Sequence, residues 1–600
     1  VSNIDIGSAN AAKTFTLKGT AYAKNTTINH ADSTITFASD GSILNTDLVL
    51  GGDQYGIINA STNSGTIVGN IGGVSAAVAN IKVGSANTAK TFTASGDVYS
   101  TAISLSNTGS TFVFGKDNMT VTGAFVLGGN NYGTLTVSNS GTIVGQSGTA
   151  GTAINAANIA SGKSLTLSGG DASIKTVTLA ANTASIILGG SVNHTVTIGT
   201  TLNPATNDGT LGLTGSANRT INATFGTNTN SFKQVNLGGT GLNTFASGSD
   251  KQYITDLDFV GAVASKATFA GGGDISNQVD FTADGQILTF AGASTLDGGS
   301  DFAGNAATLV IDSTAADASI SGGEITDSSG SGKGIVSIIG GKTVTINNAI
   351  GTDTDHRVGE LNVATGTTAN FLSDIYIKDS TFSGTAGGEF DGKVNISGSL
   401  TVATGTLNFN ADADVTGATL SFGAGSTVNF NAGKTGNATY SGSGTYYFAV
   451  STSDVVYFGS ASATVKLGDG ANASGVIDNK TGSDNAGILI LDGDSELGSA
   501  IGATNSLASV SIFNKVGGST IKFDHTLDTE ILTLGANSGT ATFVGEAKIN
   551  NAVNFTAASQ NLVFNTSSTL ANGASFAGKA STITVDSAAG NNTFNGALTT

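Results

Sequence analysis

Apolar residues along the chain recur in pairs two positions apart, as in Val279 and Phe281, Leu288 and Phe290, Val553 and Phe555, Leu562 and Phe564. A spacing of two puts both members of a pair on one face of an extended strand and the residue between them on the other. The residues between are Thr, Asn, Asp or Val, which suit a solvated face with β propensity. Clusters of Gly, Asn, Asp and Ser separate the pairs and supply turns and positive φ values. The pattern predicts short strands throughout. No stretch carries a helical apolar period, and none approaches the roughly 18 consecutive apolar residues of a membrane helix.

The strand ends are themselves periodic. Phe269, Phe281, Phe290, Phe302 and Ile311 are separated by 12, 9, 12 and 9 residues, and Phe543, Phe555, Phe564, Phe576 and Val585 repeat those steps. The period is 21 residues; Phe513 and Leu534 extend it upstream, and Phe409 to Phe430 shows it again. On a longer scale, Phe269 to Ser313 aligns with Phe543 to Ser587 at a constant shift of 274, with about half the positions identical. Near the start, IDIGSANAAKTF (Ile4 to Phe15) returns as IKVGSANTAKTF (Ile81 to Phe92), and VLGGDQYG at Val49 returns as VLGGNNYG at Val126, both at a shift of 77. SGTIVG follows at Ser64 and Ser140, so one residue is lost in the second copy.

A unit of 21 residues is too short for a strand–helix–strand crossover, and its constant spacing asks successive copies to stack their Phe residues in columns. The expected fold is all-β, an elongated parallel β-helix (β-solenoid) with coils of about 21 residues. Unbroken, it would form a rod on the order of 130–140 Å long. Five stretches are expected: the duplicated unit over 1–150, solenoid over 151–258, a regular block over 259–313, solenoid over 314–510 with a Tyr-rich irregular segment near 440–458, and a second regular block over 511–600. A string of β-sandwich domains is the competing architecture.

Composition narrows the function. Hydrophobic residues make up 39% of the chain and proline occurs once, at Pro204, so it can bury a core and is not a disordered tract. With 24 Lys and Arg against 42 Asp and Glu, a net charge of -18, the chain lacks the basic clustering that nucleic acid demands. It has no cysteine, hence no disulfide or thiolate metal site, and Met119 is the sole methionine. It opens at Val1-Ser2-Asn3 without an initiator Met or a leader pattern and stops at Thr600 inside the repetitive pattern. From this we expect an excerpt or processed product, with signals, anchors and any membrane barrel outside it.

Catalytic patterns are scarce. His30, His194, His356 and His525 form no metal-binding pair and read as solvated strand or turn residues, His356 within the polar run DTDHR. Glycine runs such as Gly271 to Asp274 lack the Lys-Ser/Thr of a phosphate loop. The calcium candidate is LDGDSELG, where Asp492, Asp494 and Glu496 alternate and could present oxygens from one edge. Tyr440, Tyr446, Tyr447 and Tyr457 gather with Phe448 and Phe458 as a candidate contact patch, the bland alternative being an irregular coil with a larger core. Tryptophan, frequent in sugar-binding platforms, is absent. No catalytic or cofactor-binding residue is assigned.

The segments SGSLTVATGTLNFNADADVTGATLSFGAGSTVNFNAG (Ser397 to Gly433) and AIGTDTDHRVGELNVATGTTANFLSDIYIKD (Ala349 to Asp379) resemble the passenger regions of bacterial autotransporters, and among these the large rickettsial surface antigens. The resemblance rests on Thr-x-Asn-Phe strands, Gly-Thr turns and low charge. It implies a β-helical passenger on the bacterial cell surface, secreted through a C-terminal outer-membrane barrel and used for adhesion or as a coat. The expected partners are a host or neighbouring-cell surface ligand, or copies of the chain itself. A self-assembling S-layer, sheath or extracellular filament subunit is one alternative, and a β-helical polysaccharide-degrading enzyme is another.

Overall fold

An extended strand points its N–H and C=O groups sideways, and here those groups are satisfied by the strands one turn earlier and one turn later. The computed structural model describes residues 1–149, 151–180, 183–199, 209–246, 248, 250–261, 263–479, 484–586 and 590–600; Pro204 and Ser587 lie outside them. The described residues contain strands and no helix. Among the described residues the strand ladders run parallel, as in Asn3–Ile6 on Thr20–Ile28 and Thr406–Phe409 on Thr427–Phe430. Antiparallel contacts are single bridges inside tight turns, such as Ser8 with Ala11. Hairpin-connected sandwiches are thereby overturned, because they require antiparallel neighbours. The chain is a β-solenoid of about 26 turns of roughly 22 residues, in two compact units, Val1–Ser300 and Asp301–Thr600.

In the N-terminal unit three ladders run side by side. The first passes through Thr14–Leu17, Thr34–Phe37, Tyr55–Ala60 and Val78–Val83. The second passes through the front halves of Thr20–Ile28 and Ser42–Leu50, then Gly65–Val68, Thr91–Ala94 and Thr111–Phe114. The third takes the rear halves of the same long strands, then Ile71 and the start of Val98–Leu105. On its inner side Leu48, Ile71, Val98, Val121, Ile143, Leu167, Leu188, Leu213, Leu237 and Phe259 form one buried column.

These ladders explain the duplication. From Ile4 the third ladder steps to Thr26, Leu48 and Ile71, three full turns, and Ile81 lies one face further on, in the first ladder. Likewise Phe15 belongs to the first ladder and its copy Phe92 to the second. The 77-residue unit is thus three turns and one further face, so its second copy occupies the next side of the triangle. Corners follow the copy: Asp40 accepts from the Ser64 amide and pairs with Lys90, and Asp117 accepts from the Ser140 amide and pairs with Lys163. Glycine is required at two corners where the chain presses on the turn before. Gly69 has φ +131° and Gly123 has φ +145°, and a Cβ would stand 2.2 Å from Thr46 O and 2.1 Å from Ser100 O.

In the C-terminal unit the expected aromatic columns are present. Phe371, Phe390, Phe409, Phe430 and Phe448 stack face to face, with centroid spacings of 4.7, 4.7, 5.2 and 5.2 Å. Phe523, Phe543 and Phe564 do the same at 4.8 and 4.9 Å. Coil length varies around the expected 21: the first column advances by 19, 19, 21 and 18 residues, while Gly65 pairs with Phe92 across 27. The ladders fix the strands, and the corners between them gain or lose residues freely. Near the end of the chain Phe576 is half-buried and Val585 is exposed, unlike their counterparts Phe302 and Ile311.

One charged group turned inward at a corner is hydrogen-bonded on every side. Asp327, fully buried, accepts from the Ser329 and Ser331 hydroxyls and from the Gly304 and Lys333 amides. Burial pushes its carboxyl up, but these bonds outweigh burial and leave it below the ordinary carboxylate range. Its folded value being depressed, its contribution is complete above the unfolded carboxylate pKa and is lost as pH falls through the folded one. Asp327→Asn keeps the shape but turns an acceptor into a donor facing Ser331 and Lys333. We expect it to cost about 2 kcal/mol at pH 7, read from urea denaturation, and the gap to wild type to close in acid; an equal gap at pH 7 and pH 2 would rule the carboxylate out as the cause.

Candidate functional site

The aromatic patch read from the sequence does not assemble. Tyr440 and Tyr446 face the core and are completely buried, a correction to their expected place at a contact surface. Tyr446 follows Val428 in register and Tyr440 follows Leu420, so both occupy core columns. The Tyr446 ring stacks on Phe422 at 4.3 Å and meets Tyr440 edge-on, while its hydroxyl donates to Leu420 O and Ser441 O at 3.1 and 2.9 Å. Burial pushes both phenols up from the ordinary tyrosine range. Tyr447 and Tyr457 do point outward, half-exposed, but from different ladders: Tyr447 lies between Asn429 and Lys466, whereas Tyr457 follows Thr439.

The alternating carboxylates are likewise separated. Asp494 and Glu496 are exposed, but the bend at Gly493 turns Asp492 into the corner, where it is buried. Lys466 Nζ comes within 3.1 Å of Asp492 Oδ2 at an angle short of a hydrogen bond, so neither oxygen of Asp492 accepts one. The same ammonium sits 6.0 Å from the centre of the Tyr447 ring, a cation–π distance. Asp494 accepts from the Thr520 amide at 2.6 Å, and Glu496 pairs with Lys522 at 2.9 Å. The expected single edge of oxygens is therefore corrected: each carboxylate already has its own neighbour. Among the described residues no three His, Cys, Asp or Glu side chains converge on a point where a metal ion could sit.

Of the histidines, His356 stands in its polar loop, where Asp353 at 3.0 Å raises it above the ordinary imidazole range. His194 differs from expectation. In strand His194–Ile198 it alternates inward with Val196 and Ile198 and is buried, its Nδ1 bonded to Val192 O at 2.8 Å and its Nε2 without a partner. Its ladder neighbour Arg219 is buried too, bonded to Asn243 Oδ1 at 3.1 Å and to Thr214 O. Burial pulls the guanidinium down to about 10. Neither was singled out as a core residue, although the period of two that places Val196 and Ile221 inside places both.

What the walls offer outward is mainly amides and hydroxyls in rows. Asn431 donates to Asn410 at 2.9 Å and Asn410 to Asp391 at 2.8 Å, and Asn429 donates to Asn408 at 2.7 Å. Such rows satisfy one another along the ladder and leave few reactive groups facing solvent. Among the described residues no helix is long and apolar enough to cross a membrane.

No protein-family model matches the chain, and no solved structure matches it. Over 531 residues, 85% of its length, the chain is 28% identical to Outer membrane protein A of Rickettsia rickettsii. It spans 20% of the length of that relative.

Proposed function

We propose that this chain is a surface-exposed stretch of a bacterial envelope protein whose role is structural or adhesive and not enzymatic. The observation that carries the reading is the likeness of 85% of the chain to a protein named for the outer membrane. The solenoid supports it on physical grounds. A repeat of this kind extends by adding turns, each stabilised mainly by its neighbours, so length is gained without new core designs. Its corners are pinned by side chain to backbone bonds, as at Asp40 and Asp117, and some of its charged groups are paired across turns. On this reading the chain works without a cofactor, is exported as an autotransporter passenger, and meets either a ligand on another cell or copies of itself.

The test is immunogold labelling of intact and permeabilised cells of the source bacterium with antibodies against this chain. Labelling of intact cells is expected; labelling confined to permeabilised cells would overturn the surface assignment. Purified chain should then bind cell monolayers as separate particles if adhesive, or sediment as ordered sheets or filaments if it forms a coat. Release of reducing sugar from a glycan, lost on mutating a clustered Asp, would replace both with the enzyme.

A further inference from the structure

Two glycines in the outer wall of the N-terminal unit are not required by the backbone. Gly212 stands inside strand Thr210–Leu213, in register between Ile187 and Asn236. A Cβ there would meet nothing closer than the Ile187 side chain at 3.4 Å, and Gly238 has nothing closer than Leu213 O at 3.6 Å. Neither has a left-handed backbone. Both differ in this from Gly69 and Gly123, whose conformation and contacts demand glycine. Glycine inside a strand weakens it, and where the backbone does not call for it, it often marks the close approach of a ligand.

These two glycines line one open cavity of about 280 Å³. Its apolar walls are Ile187, half-buried, and Val260, which is 49% exposed. Thr210 and Thr214 bring hydroxyls, and Asn236 brings an amide. The Asn236 Oδ1 is buried and bonded to nothing. A half-turn about the soft terminal torsion would exchange Oδ1 and Nδ2 and present the acceptor outward. Side chains lining the cavity carry no charge.

The geometry points to a binding site for one neutral saccharide unit of a glycan. The C–H face of a sugar ring rests on Ile187, Val260 and the glycine floor, a ring hydroxyl donates to Asn236 Oδ1, and the threonine hydroxyls meet its neighbours. Acidic sugars are disfavoured, because no cation lines the cavity and the chain carries a net charge of -18. The inference deepens the adhesive reading by naming a ligand class and rests on it for its biological meaning. Binding by soluble chain is nevertheless independent of where the protein resides, so failure of surface labelling and failure of sugar binding are separate results.

The experiment is saturation-transfer NMR and calorimetry on the full 600-residue chain with glucose, galactose, mannose, N-acetylglucosamine and their short oligomers. At least one should bind. Gly212→Val, which fills the floor at a position whose backbone accepts a β-branched residue, should weaken that binding by about tenfold or more without lowering the melting temperature. Asn236→Ala should weaken it as well. Absence of binding by every neutral sugar would overturn the proposal, as would wild-type affinity in Gly212→Val. If Gly212→Val melts early, Gly212→Ala and Asn236→Ala carry the same comparison, and wild-type affinity in both overturns it.

Discussion

Replacing Phe409 by alanine should destabilise the C-terminal unit by about 3–5 kcal/mol, one of the two largest effects we expect from a single substitution. Its ring is completely buried, parallel to Phe390 at 4.7 Å and to Phe430 at 5.2 Å, each within 8°. The geometry is imposed by the ladder, whose strands lie about 4.8 Å apart, so in-register rings have to stack. Truncation removes two ring contacts and the transfer energy of the side chain. It also leaves a cavity that the walls cannot close, because strands Gly387–Phe390 and Thr427–Phe430 are held in register by backbone bonds on both sides. In a repeat structure the loss is felt first by neighbouring turns. Hydrogen exchange should therefore accelerate in strands Gly387–Phe390, Thr406–Phe409 and Thr427–Phe430 before distant strands respond. A loss below about 1 kcal/mol would mean that the column is replaceable filler, to be compared with the usual cost of Phe truncation.

That column was legible in the sequence because a strand has a fixed period. Phe409 and Phe430 share a spacing with Phe269 and Phe290, and each has its apolar partner two residues earlier. The same rule could have placed the misassigned residues. Tyr446 stands two before Phe448 as Val428 stands two before Phe430, and His194 stands two before Val196; polarity drew the reading outward where parity pointed inward. Asp492 was beyond the rule, since odd-numbered positions point inward both before and after the bend at Gly493, and Asp492 is buried at the corner against that alternation.

Other features depend on which residues of different turns become neighbours, and that depends on how many residues each corner holds. The passage of the second copy of the 77-residue unit to the next face is one such feature. The cavity at Gly212 is another. Its parts come from residues 185 to 260, and nothing in their spacing says that Ile187, Gly212 and Asn236 stand in one outward row. Pairings across two turns, such as Lys90 with Asp40, are hidden for the same reason.

The pair formed by Lys434 and Asp454 is hidden in this way too, and breaking it is the second large effect. Lys434 replaces an apolar residue in the core position after Ala413, with 1% of its side chain exposed, and its ammonium lies 2.9 Å from Asp454 Oδ2 and 2.6 Å from Gly436 O. Asp454→Asn removes the charge that compensates a buried ammonium and should cost about 3–5 kcal/mol at pH 7. Lys434→Met should cost less, because Asp454 retains 13% exposure and can be rehydrated. The double variant Lys434→Met/Asp454→Leu should recover most of the loss, since an apolar pair of similar volume carries no desolvation penalty. Burial holds the Lys434 ammonium below its ordinary value against the opposing pull of Asp454, and Asp454→Asn removes that pull. Between the lower folded value and the ordinary unfolded one, the unfolded chain binds more protons, so stability attributable to this group rises with pH. The deficit of Asp454→Asn in urea denaturation should therefore shrink between pH 7 and about pH 10. A deficit that stays constant over that range would show that the lost hydrogen bond, and not the stranded charge, is what the substitution costs.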